Sequence, residues 1–133
     1  MNLEAFLVPV LEETKEVNVS KRFVDEEGKQ VLFKIRSLTA EEAMAIQRKN
    51  TKTAKTGIQS LDFMEYQNAI VAESVVEPDL KNDKLQKHYG VMGEKNLLLK
   101  MLTMAEFTNL RTAVFEMSDL DLDINETTDE VKN

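Results

Sequence analysis

Apolar positions along the chain change period several times, and each change marks an element. Val17 to Val24 alternates in part, with Val17, Val19 and Phe23 set among polar residues, and reads as a strand. Asp25–Gly28 reads as a turn, because Gly28 reaches positive φ cheaply. Val31 to Leu38 alternates again, with Val31, Phe33 and Ile35 on one side and Leu32, Lys34 and Arg36 on the other. The two strands predict a hairpin, which needs a helical layer or another sheet edge to be stable.

From Thr39 the period lengthens to that of helices. Thr39-Ala-Glu-Glu42 is a capping box, and Ala43, Met44 and Ile46 give the helix after it an apolar stripe. Arg48 and Lys49 suit that helix's negative end. Asn50 to Gly57 reads as a polar, solvated loop. Ser60 to Val76 reads as a long helix with Leu61, Met64, Val71 and Val75 on one face and Phe63, Tyr66 and Ile70 on the next. Pro78 ends it. Asp83 is the expected cap of a short helix from Lys84 to Tyr89, which Gly90 stops. Leu80, Leu85, Tyr89 and Val91 are the expected anchors of this connector. Glu94 to Leu102 is a strongly apolar helix. Thr103-Met-Ala-Glu106 is a second capping box, opening a helix from Met104 to Met117 whose stripe is Met104, Phe107, Leu110, Val114 and Met117. The pattern predicts an α+β fold: an N-terminal β-hairpin packed with a mainly α-helical bundle of about five helices.

The ends read differently. Residues 1–16 form an N-terminal arm, either mobile or holding one helical turn near Pro9. Its apolar residues Leu3, Phe6, Leu7 and Val10 either pack on the domain or dock on a partner. Residues 17–117 make the single domain. Residues 118–133 read as a flexible acidic tail, whose charge and lack of aromatics leave its ordering entropy uncompensated.

Charge and chemistry narrow the function. The 133 residues carry a net charge of −7, which argues against a phosphate-binding surface. With no cysteine, disulfides, thiolate metal sites and cysteine nucleophiles are excluded. The start lacks the basic leader of a signal peptide, and no apolar run approaches a membrane span. In the tail, Asp119, Asp121, Asp123, Asn125 and Glu130 fit the spacing of an EF-hand loop, but Ile124 occupies the position that needs glycine. A solvated tail is the better reading. His88 is the sole histidine and has no chemical partner in view. Glu73, Glu77 and Asp79 read as solvated charges or helix caps around Pro78. No glycine motif for phosphate and no nucleophile motif is present. We therefore expect no enzyme activity, no cofactor and no metal. Seven methionines remain, several on helix faces, and methionine adapts to varied partners. Met44, Met64, Met101 and Met104 join Leu3, Phe6, Leu7 and Val10 as candidate partner-binding residues.

Three segments in order, "VSKRFVDEEGKQVLFKIRSLTAEEA", "VVEPDLKNDKLQKHYGV" and "LLLKMLTMAEFTNL", resemble the XkdN-like family of bacteriophage and prophage tail assembly chaperones. The resemblance spans Val17 to Met117. Ala105 stands where such families often have glycine before the acid. The resemblance implies a non-enzymatic protein of the host bacterial cytoplasm, absent from the mature virion. It implies that the protein binds and solubilises the tape measure protein, with the tail tube protein as a further partner; separately, the hairpin's free edge and the apolar arm allow self-association. A minor structural tail protein and a small cytosolic adaptor are the alternatives.

Overall fold

The computed structural model describes residues 1–9 and 14–118 of the chain. Val10 and the acidic stretch beyond Ser118 lie outside the described residues, as does its EF-hand-like spacing. Among the described residues the order is α1 (Leu3–Leu7), β1 (Lys15–Val17), β2 (Phe33–Ile35), α2 (Ala40–Lys49), β3 (Thr51–Thr53), β4 (Gln59–Leu61), α3 (Phe63–Ser74), β5 (Val75–Glu77), α4 (Asp83–Tyr89), α5 (Glu94–Met101) and α6 (Met104–Ser118). The fold class is α+β, as the pattern predicts.

The sheet is larger than a hairpin. β2 is central, with β1 on one side and β5 on the other, both antiparallel. Val75 and Val76 thus belong to a strand and not to the end of the preceding helix. Two β-branched residues before a proline favour extended backbone, and pairing with β2 rewards it. The Arg36 N–H donates to the Ser74 carbonyl at 2.8 Å where the helix gives way to the strand.

The first hairpin is interrupted. Six residues, 18–23, separate the paired Val17 and Val24 on one limb, and two, 31–32, separate Gln30 from Phe33 on the other. The longer limb must bulge. Ser20 turns it, its Oγ accepting from the Arg22 N–H at 3.0 Å. The polar stretch after α2, expected as a plain loop, holds a second hairpin of β3 and β4. Its threonines suit strand geometry, and Gly57 takes φ +88 at its turn. The next helix starts later than expected, with Asp62 as its cap in place of Ser60. Asn82, not Asp83, caps α4.

Both capping boxes form. The Glu42 N–H donates to Thr39 Oγ1 at 3.1 Å, and the Glu106 N–H donates to Thr103 Oγ1 at 3.3 Å. Helix α3 packs against α2, α5 and α6, and α4 packs on α5. The core runs from Phe33 and Ile35 of β2 through Ile70 and Val71, Leu97 and Leu98, to Leu110, Val114 and Phe115. Leu80 is buried with it, and Leu85, Tyr89 and Val91 pack against it, as expected of the connector.

Three expected stripes face the core through Ala43 and Ile46, Ile70 and Val71, and Phe107, Leu110, Val114 and Met117, but each has one methionine outside it. Met44, Met64 and Met104 are exposed on α2, α3 and α6. On α6 the buried face is Leu110, Val114 and Phe115, and Met104 is 87 % exposed. The reason is positional: Met104 is the first residue of α6, and the core begins a turn and a half further on. On α3 the buried face includes Gln67 and Ser74, whose hydroxyl donates back to the Ile70 carbonyl at 2.8 Å.

Candidate functional site

An apolar groove of about 330 Å³ opens between the first hairpin and the α4 connector. Phe23, Val31, Leu32 and Phe33 form one wall; Pro78, Leu85 and Tyr89 form the other. Met101, only 6 % exposed, closes the floor. Each wall has a local cause. The rings of Phe23 and Phe33 lie 5.9 Å apart, so the limbs of the bulged hairpin present one aromatic surface. Opposite, Gly90 takes the left-handed conformation at φ +66, which ends α4 just after Tyr89. Gln86 Nε2 donates to the Leu80 carbonyl at 2.8 Å and ties the connector to α4.

A polar staple sets the distance between these parts. Arg22 Nε donates to Glu106 Oε2 at 2.9 Å, and its Nη2 donates to Glu106 Oε1 at 2.5 Å and to the Met101 carbonyl at 2.8 Å. Ser20 Oγ donates to the same carboxylate. The Arg22 guanidinium also lies 5.1 Å from the Phe23 ring centroid. Glu106 therefore caps its own helix and holds the hairpin bulge against the α5–α6 junction. The Arg22 bond, then the Ser20 hydroxyl and the Thr103 N–H, hold its carboxyl far below the usual carboxylate range. A second clamp joins β2 to α2 and α3. Arg36 donates to both oxygens of Glu42, at 3.0 and 2.8 Å, and to Glu73 at 3.3 Å. These bonds lower the Glu42 carboxyl to about 2.

The groove can bind apolar side chains. Glu77, on its rim, pairs with Lys34 at 3.6 Å. The neighbouring hollow is lined by Arg36, Glu73, Asp79, Lys81 and Glu94 together with Val75, Val76 and Leu80; Arg36 pairs there with Glu73 at 3.3 Å and Lys81 with Glu94 at 3.8 Å. His88 is exposed, its ring edge-on to Tyr89 at 5.0 Å. Among the described residues no three histidine, aspartate or glutamate side chains gather as a metal site, and no helix is long and apolar enough to cross a membrane.

The eight candidate partner-binding residues are dispersed. Leu3, Phe6 and Leu7 lie exposed on α1, none packed on the domain. Val10 lies outside the described residues. Met44, Met64 and Met104 are exposed on three different helices and form no common face with the groove. Met101 is a core residue that reaches the surface only as the groove floor. Phe23, Leu32 and Pro78, which shape the groove, carry no local signal of a site. They are brought together by the bulge and by β5, neither of which periodicity reveals.

The geometry defines a small α+β protein with an apolar groove whose hairpin wall is tied down by the Arg22–Glu106 staple. Over residues 3–132 the chain matches the phage XkdN-like tail assembly chaperone protein family (TAC), and it belongs to that family. Among curated relatives, YqbN of Bacillus subtilis (strain 168) is 27 % identical over 126 residues, covering 91 % of this chain and 85 % of that protein. The phage-like element PBSX protein XkdN of the same organism is 26 % identical over 122 residues, covering 88 % of this chain and 82 % of XkdN. The crystal structure of YqbN matches with a TM-score of 0.75 at 26 % identity, over 88 % of this chain and 96 % of that one.

Proposed function

We propose that this protein binds the tape measure protein of its phage or prophage tail in the host bacterial cytoplasm, and keeps it soluble until tail tube subunits enclose it. Membership in a tail assembly chaperone family supports the assembly role. The apolar groove is the observation that carries the binding role. It offers aromatic and aliphatic walls with one paired charge on the rim, which suits the apolar face of a helical client. The protein acts by holding, with no covalent chemistry, and is left out of the finished particle.

Co-expression tests this. The tape measure protein of the same phage or prophage is expected to move from the insoluble to the soluble fraction when this chain is present, and to co-purify with it. Val31→Glu, which puts a charge on an exposed position of the groove wall, is expected to abolish the rescue while the variant itself stays folded. A client equally insoluble with and without the chain would refute the holding role. Undiminished rescue by the Val31→Glu variant would move the site elsewhere.

A further inference from the structure

The groove has a complementary surface on the same chain. Helix α1 runs only from Leu3 to Leu7, held by an Asn2 side-chain cap and by the Val8 N–H donating to the Glu4 carbonyl at 2.9 Å. A helix that short is not stable alone in water. None of its residues is buried, and Phe6 is 73 % exposed. Leu3, Phe6 and Leu7 fall at i, i+3 and i+4, so they share one helical face. That is the anchor spacing by which a short helix enters an apolar groove. The groove in turn is apolar, open, and at the small end of the roughly 300–1,000 Å³ typical of binding pockets. It suits a few large side chains and supplies no unpaired polar partner.

We infer that the groove of one copy receives the Leu3–Phe6–Leu7 face from a second copy, and that the exchange is reciprocal. The second copy is favoured over the chain's own arm because, in the single chain, α1 stands clear and the groove is open; docking in cis would bury both. Reciprocity follows from symmetry. Once one arm is seated, the other arm and groove face each other at high effective concentration, which closes a two-fold dimer. The exchange covers apolar surface on both partners and uses the groove assigned to the client, so a seated arm must leave before a client helix enters.

The absence of native cysteine makes a clean test. Phe6→Cys and Val31→Cys alter exposed positions, one on the arm and one on the groove wall. The two variants, mixed as separate full chains and gently oxidised, are expected to crosslink roughly tenfold or more faster than Phe6→Cys with Lys52→Cys on the distant β3–β4 hairpin, given the effective concentration of a docked arm. The unmodified chain is expected to sediment as a dimer, and the Phe6→Glu/Leu7→Glu variant as a monomer with an unchanged circular dichroism spectrum. Equal crosslinking rates, a monomeric unmodified chain, or a crosslink formed only within a single Phe6→Cys/Val31→Cys chain would each overturn the exchange. No client is present in any of these measurements, so their failure leaves the chaperone reading untouched.

Discussion

Replacing Leu110 and Met104 by alanine, one at a time, asks which face of α6 is buried. Both are large apolar residues of the same sequence stripe. Leu110 is fully buried, in a helix packed on α3, and Met104 is 87 % exposed. Leu110→Ala removes three carbon atoms from the core, worth about 2.4 kcal/mol at ~0.8 per methylene. Incomplete collapse of the cavity adds to this, within the ~2–5 kcal/mol seen for such truncations, and we expect about 3 kcal/mol. With an m-value near 1.5 kcal/mol/M for a chain of this size, the urea midpoint should fall by about 2 M. Met104→Ala removes little buried area and places a better helix former in the first turn, so its change should stay within about 0.5 kcal/mol. Urea unfolding followed by circular dichroism, with m unchanged, measures both. Equal costs for the two variants would refute this packing of α6, and a larger cost for Met104 would mean that the helix is rotated.

The two staples should also show in acid. Glu42 is lowered to about 2 by Arg36 and by the Thr39 N–H, whereas an unfolded glutamate titrates near ~4.3. A lowered folded pKa gives stability that is complete above the unfolded value and lost as pH falls toward the folded one. Glu42→Gln should therefore be less stable than the parent at pH 7, with the gap closing between about pH 4 and 2; a pH-independent gap in urea midpoints would exclude the linkage. Glu106 is lowered in the same direction, chiefly by Arg22, so Glu106→Gln should behave alike and should also loosen the hairpin bulge, read as faster amide exchange near Ser20. Gly90→Ala meets no steric neighbour but must adopt φ +66, and should cost about 1–2 kcal/mol, with Gly90→Asn costing less, by thermal unfolding. Thr39→Ala removes one half of a capping box and should cost about 0.5–2 kcal/mol in the same assay.

Local chemistry was legible in the sequence, and non-local pairing was not. Thr39 with Glu42, Thr103 with Glu106, and the Tyr89-Gly90 stop each work within a few residues, so spacing alone reveals them. Val75 and Val76 show the opposite case. Their spacing continues the α3 face, and only the approach of β2, some forty residues earlier in the chain, makes them a strand. The β3–β4 hairpin was hidden because its threonines and lysines carry no apolar alternation. The family was legible for a different reason: the order of several weak motifs is specific where each alone is not.

The same distinction governs the candidate site. Glu106 reads as an ordinary N3 residue of a capping box, and that reading is right but incomplete. One carboxylate closes the box on Thr103 and also receives Arg22 and Ser20 from more than eighty residues away. A helix start thereby becomes the post to which the hairpin is tied. The groove exists because that tie holds Phe23 and Phe33 across from Leu85 and Tyr89. The exposed methionines Met44, Met64 and Met104, three of the candidate partner-binding residues, are spread over three helices and do not line it. The apolar groove is therefore bordered by an ion pair between segments distant in the chain, and the arm's exposed i, i+3, i+4 face is the complement proposed for it.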